Sequence, residues 1–73
     1  MLARMAPFHI TLETEDDGRW IGAVDAMPGV LAYGASREEA LARVQALALR
    51  VLADRLEHGE MPGAALTLAF EAA

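Results

Sequence analysis

The side chains that could support catalysis are mostly carboxylates in the first third of the chain: Glu13, Glu15, Asp16, Asp17 and Asp25. A ribonuclease-like metal site would need several of them to converge on two divalent ions about 3.5–4 Å apart. Three of the five form a charge run at a predicted hairpin tip, where such runs are usually solvated. The other two lie near opposite ends of paired strands in the predicted sheet. The sequence therefore disfavours a metal-dependent nuclease.

The two histidines, His9 and His58, are the other candidate general bases. His9 alternates out of an apolar strand, which predicts an exposed position. His58 falls near the end of a predicted helix, where a protonated imidazole interacts favourably with the helix dipole. The chain has no Cys, and therefore no disulfide and no thiolate ligand. We therefore expect no enzyme, with no catalytic residue, no cofactor and no bound metal.

Length and charge narrow the classes of function further. With 73 residues, the chain has room for a single domain spanning 1–73. So small a domain buries only about 60% of its unfolded surface, which predicts stabilisation by homo-oligomer formation. The formal net charge is −5, and all six basic residues are scattered arginines outnumbered by 11 acids. Direct nucleic-acid binding is therefore not expected, because it depends on clustered basic residues. A basic protein partner is the more natural expectation, although modest negative charge also simply keeps a small protein in solution.

The expected location is cytoplasmic and no membrane contact is expected. No segment reaches the roughly 18 apolar residues that a membrane span requires. The segment from Met1 to Pro7 is too short for a signal peptide and contains no apolar core run.

Stepping along the chain, hydrophobic periodicity predicts five elements in the order β-β-β-α-β. Period-two alternation marks the strands, and an Asp-Gly pair predicts a hairpin between the first two. The predicted fold class is α+β, a small antiparallel sheet with one helix packed on a face. The fourth strand could add to this sheet as an edge or pair with a second subunit. The predicted strands are Phe8–Glu13, Arg19–Asp25, Val30–Tyr33 and Leu66–Phe70, and the helix runs from about Arg37 to His58.

The start of the helix carries the clearest local signal. Ser36 followed three residues later by Glu39 fits a capping box, in which each side chain accepts a hydrogen bond from an otherwise unpaired N–H group. Gly59 is a plausible C-terminal cap, and Pro62 prevents continuation of the helix. The apolar arc of this helix covers about half of its circumference, which is wider than one sheet contact requires. Part of it is therefore expected to meet another subunit, together with candidate interface residues Leu66, Leu68 and Phe70 on the fourth strand.

The segment from Met27 to Val44 resembles the HicB-like antitoxin family. The shared features are a Pro-Gly pair, a glycine, a capping residue and an acid-acid-Ala helix start, here Pro28, Gly29, Gly34, Ser36, Glu38, Glu39 and Ala40. The upstream acidic hairpin and the helix exit from Glu57 to Pro62 also fit, so the resemblance covers about residues 8 to 62. Ser36 replaces the commoner Thr, but both cap a helix.

The resemblance implies a truncated ribonuclease H fold, oligomer formation and a binding role. The implied partner is a small basic RNA-cleaving toxin of the HicA type, which the domain would mask. Many family members add a C-terminal DNA-binding module, for which this chain has no room, and autorepression is therefore not expected.

Candidate partner-binding residues follow from residue type. Trp20 and Tyr33 are the only Trp and Tyr, and such aromatics are enriched at interfaces, although plain core packing is the alternative. Glu13, Asp16 and Asp17 would suit a basic partner. An orphan self-assembling structural protein or a small-ligand-binding protein remains the alternative function.

Overall fold

The computed structural model describes residues 8–60 and 68–72. Four strands and one helix follow each other in the predicted β-β-β-α-β order, which confirms the α+β class. Compared with the prediction, the second strand begins one residue later, and the helix ends one residue earlier. The elements are β1 (Phe8–Thr14), β2 (Trp20–Val24), β3 (Leu31–Gly34), α1 (Arg37–Glu57) and β4 (Phe70–Ala72).

Two tight turns join the first three strands into an antiparallel meander. In the β1–β2 hairpin, Gly18 N–H donates to the carbonyl of Glu15 at 2.9 Å, and Glu15 N–H donates to the carbonyl of Arg19 at 2.7 Å. Gly18 has φ +89°, a conformation that glycine adopts without steric cost. The β2–β3 turn closes with Val30 N–H donating to the carbonyl of Met27 at 3.0 Å.

The sheet has the strand order β3-β2-β1-β4, and β4 runs parallel to β1. The expected antiparallel sheet is thus corrected to a mixed one. Two reversals make β3 parallel to β1, and α1 then carries the chain back to the end where β3 began. The next strand must therefore run in the direction of β3, as in any crossover connection. This strand begins at Phe70, later than predicted, and Leu66 lies outside the described residues.

The core lies between the sheet and one face of α1. The helix buries Ala40, Val44, Ala48 and Leu52. From the sheet side, Ile10 and Val24 are buried in the same cluster, which also includes Met27 and Val30 from the β2–β3 turn. Phe8 and Phe70 stack in a tilted arrangement with 5.8 Å between ring centroids, which packs β4 against β1 at the margin of the core.

Two glycines allow α1 to approach the sheet closely. A Cβ atom on Gly34 would meet backbone atoms of α1, including the amide nitrogen of Ala40 and the carbonyl carbon of Glu39 at 2.9 Å. A Cβ atom on Gly22 would lie 3.1 Å from side-chain carbons of Leu12 and Val44. The start of the helix therefore rests directly on the backbone of β3 at Gly34, whereas at Gly22 the side chains of Leu12 and Val44 fill the space between β2 and the helix.

Both ends of α1 carry the predicted caps. Ser36 Oγ accepts a hydrogen bond from Glu39 N–H at 3.1 Å, and Glu39 Oε1 accepts one from Ala35 N–H at 2.6 Å. The second bond is made one residue earlier than in a standard capping box. At the other end, Glu60 N–H donates to the Arg55 carbonyl and Gly59, at φ +72°, donates to the Leu56 carbonyl, which is a Schellman motif.

Within residues 8–60 and 68–72, no helix has the length and apolar character needed to cross a bilayer.

Candidate functional site

One face of the sheet is left uncovered by α1, and we call it the open face. Side chains alternate along each strand, so the residues between those that contact α1 point to the other side. In the observed register, Glu13 lies opposite Ile21, Ile21 lies opposite Tyr33, and Ala23 lies opposite Leu31. On the first three strands the open face includes Thr11 and Glu13 of β1, Ile21 and Ala23 of β2, and Leu31 and Tyr33 of β3. His9 of β1 and Glu71 of β4 extend it on the other side.

The centre of the open face is an apolar patch made of Ile21, Ala23, Leu31 and Tyr33. Leu31 and Tyr33 are 43% and 37% exposed. Val24 N–H donates to the Val30 carbonyl, so Val24 and Val30 form a hydrogen-bonded pair. Hydrogen-bonded and non-hydrogen-bonded pairs alternate along an antiparallel ladder. The pairs Ala23–Leu31 and Ile21–Tyr33 therefore occupy non-hydrogen-bonded positions. At such positions the Cα atoms are only about 4.5 Å apart, which brings the two side chains together. The patch is thus a continuous apolar surface across the outer half of the sheet.

A chain of three side chains links the hairpin tip to this patch. Asp17 Oδ1 accepts a hydrogen bond from Arg19 N–H at 3.0 Å, and Asp17 Oδ2 accepts one from Arg19 Nε at 2.7 Å. The Arg19 guanidinium carbon then lies 4.6 Å from the centre of the Tyr33 ring, a cation–π arrangement. The hydrogen bond from Arg19 N–H is the largest influence that lowers the pKa of Asp17. The side-chain bond and the positive charge of Arg19 also lower it.

The free edge of β3 is held by a second arginine. Arg43 Nη1 donates to the carbonyl of Tyr33 at 3.1 Å, and Arg43 Nη2 lies 3.5 Å from Glu39 Oε2. Glu39 in turn accepts from Ala35 N–H through its other oxygen. A long charged side chain on a sheet edge hinders pairing with a further strand. This network therefore anchors the strand that carries Leu31 and Tyr33 and protects its edge.

The five predicted partner-binding residues do not form one cluster. Tyr33 and Glu13 lie on the open face, and Asp16 and Asp17 are exposed at the hairpin tip beside it. Trp20 points to the opposite face, where it pairs with Gly34 next to the start of α1 and is half-buried. A role of Trp20 in partner contact stays a prediction.

The predicted oligomer residues on the fourth strand lie close to the core. Leu68 and Phe70 are half-buried and pack against the core cluster, whereas Leu66 is outside the described residues. The exposed leucines of the helix are Leu49 at 48% and Leu56 at 38%. A role of this part of the chain in self-association stays a prediction.

The candidate catalytic groups do not converge. Within residues 8–60 and 68–72, no three His, Cys, Asp or Glu side chains are close enough together to hold a metal ion. Asp25 accepts a hydrogen bond from the Thr11 hydroxyl at 2.8 Å. Glu13 pairs with Ile21, which is four residues before Asp25 in the chain, so the two carboxylates lie apart along the sheet. His9 is exposed as predicted, with Nδ1 3.7 Å from Glu71 Oε1. His58 is the C-cap residue of α1, and its Nδ1 lies 2.8 Å from the Asp54 carbonyl.

The prediction from residue type did not include Arg19 and Leu31 as parts of this surface. The signal was present in the alternation of Arg19, Ile21 and Ala23, which share one side of β2 and its approach. It could not be interpreted without knowing which side of the sheet the helix covers.

Comparisons with protein-family models, with curated proteins and with solved structures found no match to this chain.

Proposed function

We propose that this chain is a non-catalytic, antitoxin-like domain that uses its open face to bind and mask a small basic RNA-cleaving toxin. The observation that carries the proposal is the apolar patch with exposed Leu31 and Tyr33 beside an acidic hairpin tip. Interfaces typically combine an apolar centre containing Tyr or Arg with a charged rim. The acids Glu13, Glu15 and Asp16 would supply the rim that attracts a basic partner.

Charge supports this choice of partner. The net charge of −5 makes a basic protein the complementary partner and makes a polyanionic nucleic acid a poor one. Complementary charges mainly accelerate encounter, while the apolar patch would supply most of the lasting contact. We propose no direct contact with nucleic acid on the same grounds.

The strand arrangement also supports the expected relationship with HicB-like antitoxins. The resemblance implies a small sheet with a helix packed on one face, and the chain has this arrangement, with β4 parallel to β1. The local motifs that carry the resemblance have structural roles here. Gly34 provides the close approach of α1, and Ser36 and Glu39 cap it.

A small-ligand-binding function has less support in the described residues. The surface depression of about 310 Å³ at the hairpin tip is lined by Glu15, Asp16, Asp17 and Arg19. Small-molecule sites are usually lined mainly by apolar and aromatic side chains. A depression lined by four charged side chains fits a solvated protein-contact surface better.

The test is co-expression of the chain with a short basic protein encoded by a neighbouring reading frame, whose presence is the first requirement of the proposal. We expect the two proteins to elute as one complex and the toxin's RNA cleavage to be suppressed. Leu31→Ser should weaken both effects, because it removes an exposed part of the patch. Leu49→Ser is the matched control, since Leu49 is similarly exposed but lies on α1.

Absence of a complex, or equal effects of the two leucine substitutions, would count against the proposed binding surface. Cleavage of RNA by the purified chain with magnesium or manganese would instead support the nuclease alternative.

A further inference from the structure

We infer that Asp17 is a positioning residue, which holds Arg19 stacked on Tyr33 so that Arg19 can donate hydrogen bonds to an acceptor oxygen of the bound partner. This inference rests on the proposed function, because it assigns roles within the same binding surface. It also revises the expectation that Asp16 and Asp17 act alike as acids that attract a basic partner.

The two neighbouring aspartates differ in their contacts. Both carboxylate oxygens of Asp17 bind Arg19, one through the backbone N–H at 3.0 Å and the other through Nε at 2.7 Å. Asp16 makes no hydrogen bond or ion pair with any residue in the described ranges. The charge of Asp17 is therefore already compensated by Arg19, whereas that of Asp16 stays available to attract a partner from a distance.

Arg19 is held at two points but keeps donors available. Its Nε is bound to Asp17, and its guanidinium carbon lies 4.6 Å from the centre of the Tyr33 ring. Its two η nitrogens have no hydrogen-bond partner among the residues that the structure describes. The side chains of Arg19 and Asp17 are each 55% exposed, so a partner can reach them. An arginine fixed in this way loses less conformational entropy on binding than a mobile one.

The arrangement also explains how a cation fits on a surface for a basic partner. The ion pair makes the Asp17–Arg19 unit close to neutral, so Arg19 would not repel the partner strongly. The η nitrogens can then bind a backbone carbonyl or a carboxylate, which every protein partner offers. Loss of Asp17 would release Arg19 from Tyr33 and leave its charge uncompensated.

The experiment compares Asp17→Asn with Asp16→Asn, which change the net charge by the same amount. Binding kinetics are measured with the basic toxin of the co-expression test, immobilised in a catalytically inactive form. For Asp16→Asn we expect a lower on-rate with less than about a threefold change in Kd, as for a rim charge. For Asp17→Asn we expect an increase in Kd of about tenfold, mainly through a faster off-rate, as for loss of a charge-assisted contact.

A double-mutant cycle separates positioning from net charge. If Asp17 acts through Arg19, then Asp17→Asn should have little further effect in an Arg19→Gln background. Additive effects of the two substitutions, or equal effects of Asp16→Asn and Asp17→Asn on the off-rate, would overturn the inference.

A measurement on the free chain tests positioning without any partner. The chain has a single Tyr, so its ring protons give unambiguous NMR signals. We expect these signals to shift in Asp17→Asn, as in Arg19→Gln, and to stay unchanged in Asp16→Asn. Unchanged Tyr33 signals in Asp17→Asn would overturn the positioning role. If these signals shift but no toxin binds, the failure lies with the proposed function and with the donor role that rests on it.

Discussion

At the scale of single residues, the hairpin tip shows how adjacent identical side chains acquire different roles. Asp16 and Asp17 precede the same glycine, yet only Asp17 accepts hydrogen bonds from Arg19. The turn decides this, because Gly18 at φ +89° folds the backbone so that Arg19 N–H points back toward Asp17. A residue's type therefore indicates its chemistry, while the local backbone decides which partner it meets.

The Asp17 contacts predict a pH-dependent contribution to stability. Because the folded-state pKa of Asp17 lies below its ordinary value of 3.8, the carboxylate is favoured by folding. This contribution is fully present above the unfolded-state pKa and is lost as the pH falls through the lower folded-state pKa. We expect the difference in free energy of unfolding between the wild type and Asp17→Asn to shrink as the pH falls below 3.8.

Urea unfolding at a series of pH values measures this difference. A difference that stays constant from neutral pH to well below 3.8 would contradict the assignment. The same series with Asp16→Asn controls for the general effect of removing one exposed acid.

At the scale of elements, the position of α1 depends on glycines in the strands beneath it. Gly34 leaves no room for a Cβ atom against the backbone of Ala40, whereas the two nearest neighbours of a Cβ atom on Gly22 are side-chain carbons at 3.1 Å, with the Ala40 carbonyl oxygen at 3.3 Å. The helix start is then secured by Ser36 and Glu39, which satisfy N–H groups that a helix terminus leaves unpaired. The packing of β3 against α1 and the capping of α1 therefore both depend on residues between Gly34 and Ala40.

We expect Gly34→Ala to destabilise the fold by about 1–3 kcal/mol, because the helix must move away from β3. Gly22→Ala is the graded control and should cost less, since Leu12 and Val44 can shift by a few tenths of an ångström. Chemical unfolding followed by circular dichroism measures both. A larger loss for Gly22→Ala than for Gly34→Ala would contradict this account of the packing.

Removal of the helix cap gives a separate prediction. Ser36→Ala leaves Glu39 N–H without its acceptor and should lower the free energy of unfolding by about 1 kcal/mol. Glu38→Gln is a suitable control, because it changes the charge in the first turn without touching the cap. An unchanged free energy of unfolding in Ser36→Ala would contradict a stabilising role of the cap hydrogen bond.

At the scale of the whole molecule, the residues that the structure describes cover only one face of the small sheet. The described residues leave two apolar surfaces exposed, the patch around Leu31 and Tyr33 and the flank of α1 with Leu49 and Leu56. Arg43 marks the flank of α1 near β3, because its side chain donates to the Tyr33 carbonyl. Leu49 and Leu56 lie more than about 100° around the helix axis from Arg43. The chain can therefore present one surface to a partner protein and another to a second copy.

We expect the chain to self-associate through the exposed flank of α1, because a domain of this size gains stability from burying it. Leu49→Glu combined with Leu56→Glu should lower the mass measured by sedimentation velocity, with helical content retained. Leu31→Ser is the control on the opposite surface and should leave the mass unchanged. A wild-type chain that stays monomeric at every concentration would contradict this prediction.

Local features were determined by the sequence alone. The Asp-Gly hairpin, the capped helix start at Ser36, the glycine after the helix and the β-β-β-α-β order all depend on residues close together in the chain. Their turn and capping chemistry acts over three or four residues, so it can be recognised without the fold. Exposed positions for His9 and His58 followed in the same way from strand alternation and helix length.

Only the tertiary structure decided which side of the sheet α1 covers. That choice leaves Leu31 exposed, while the register between β2 and β3 puts Trp20 and Tyr33 on opposite faces and Arg19 over the Tyr33 ring. The structure also placed β4 parallel to β1, because its direction depends on where the crossover helix returns the chain. The physical reason is the same in each case. Period-two alternation defines two faces for every strand, but packing between distant segments determines which face is buried.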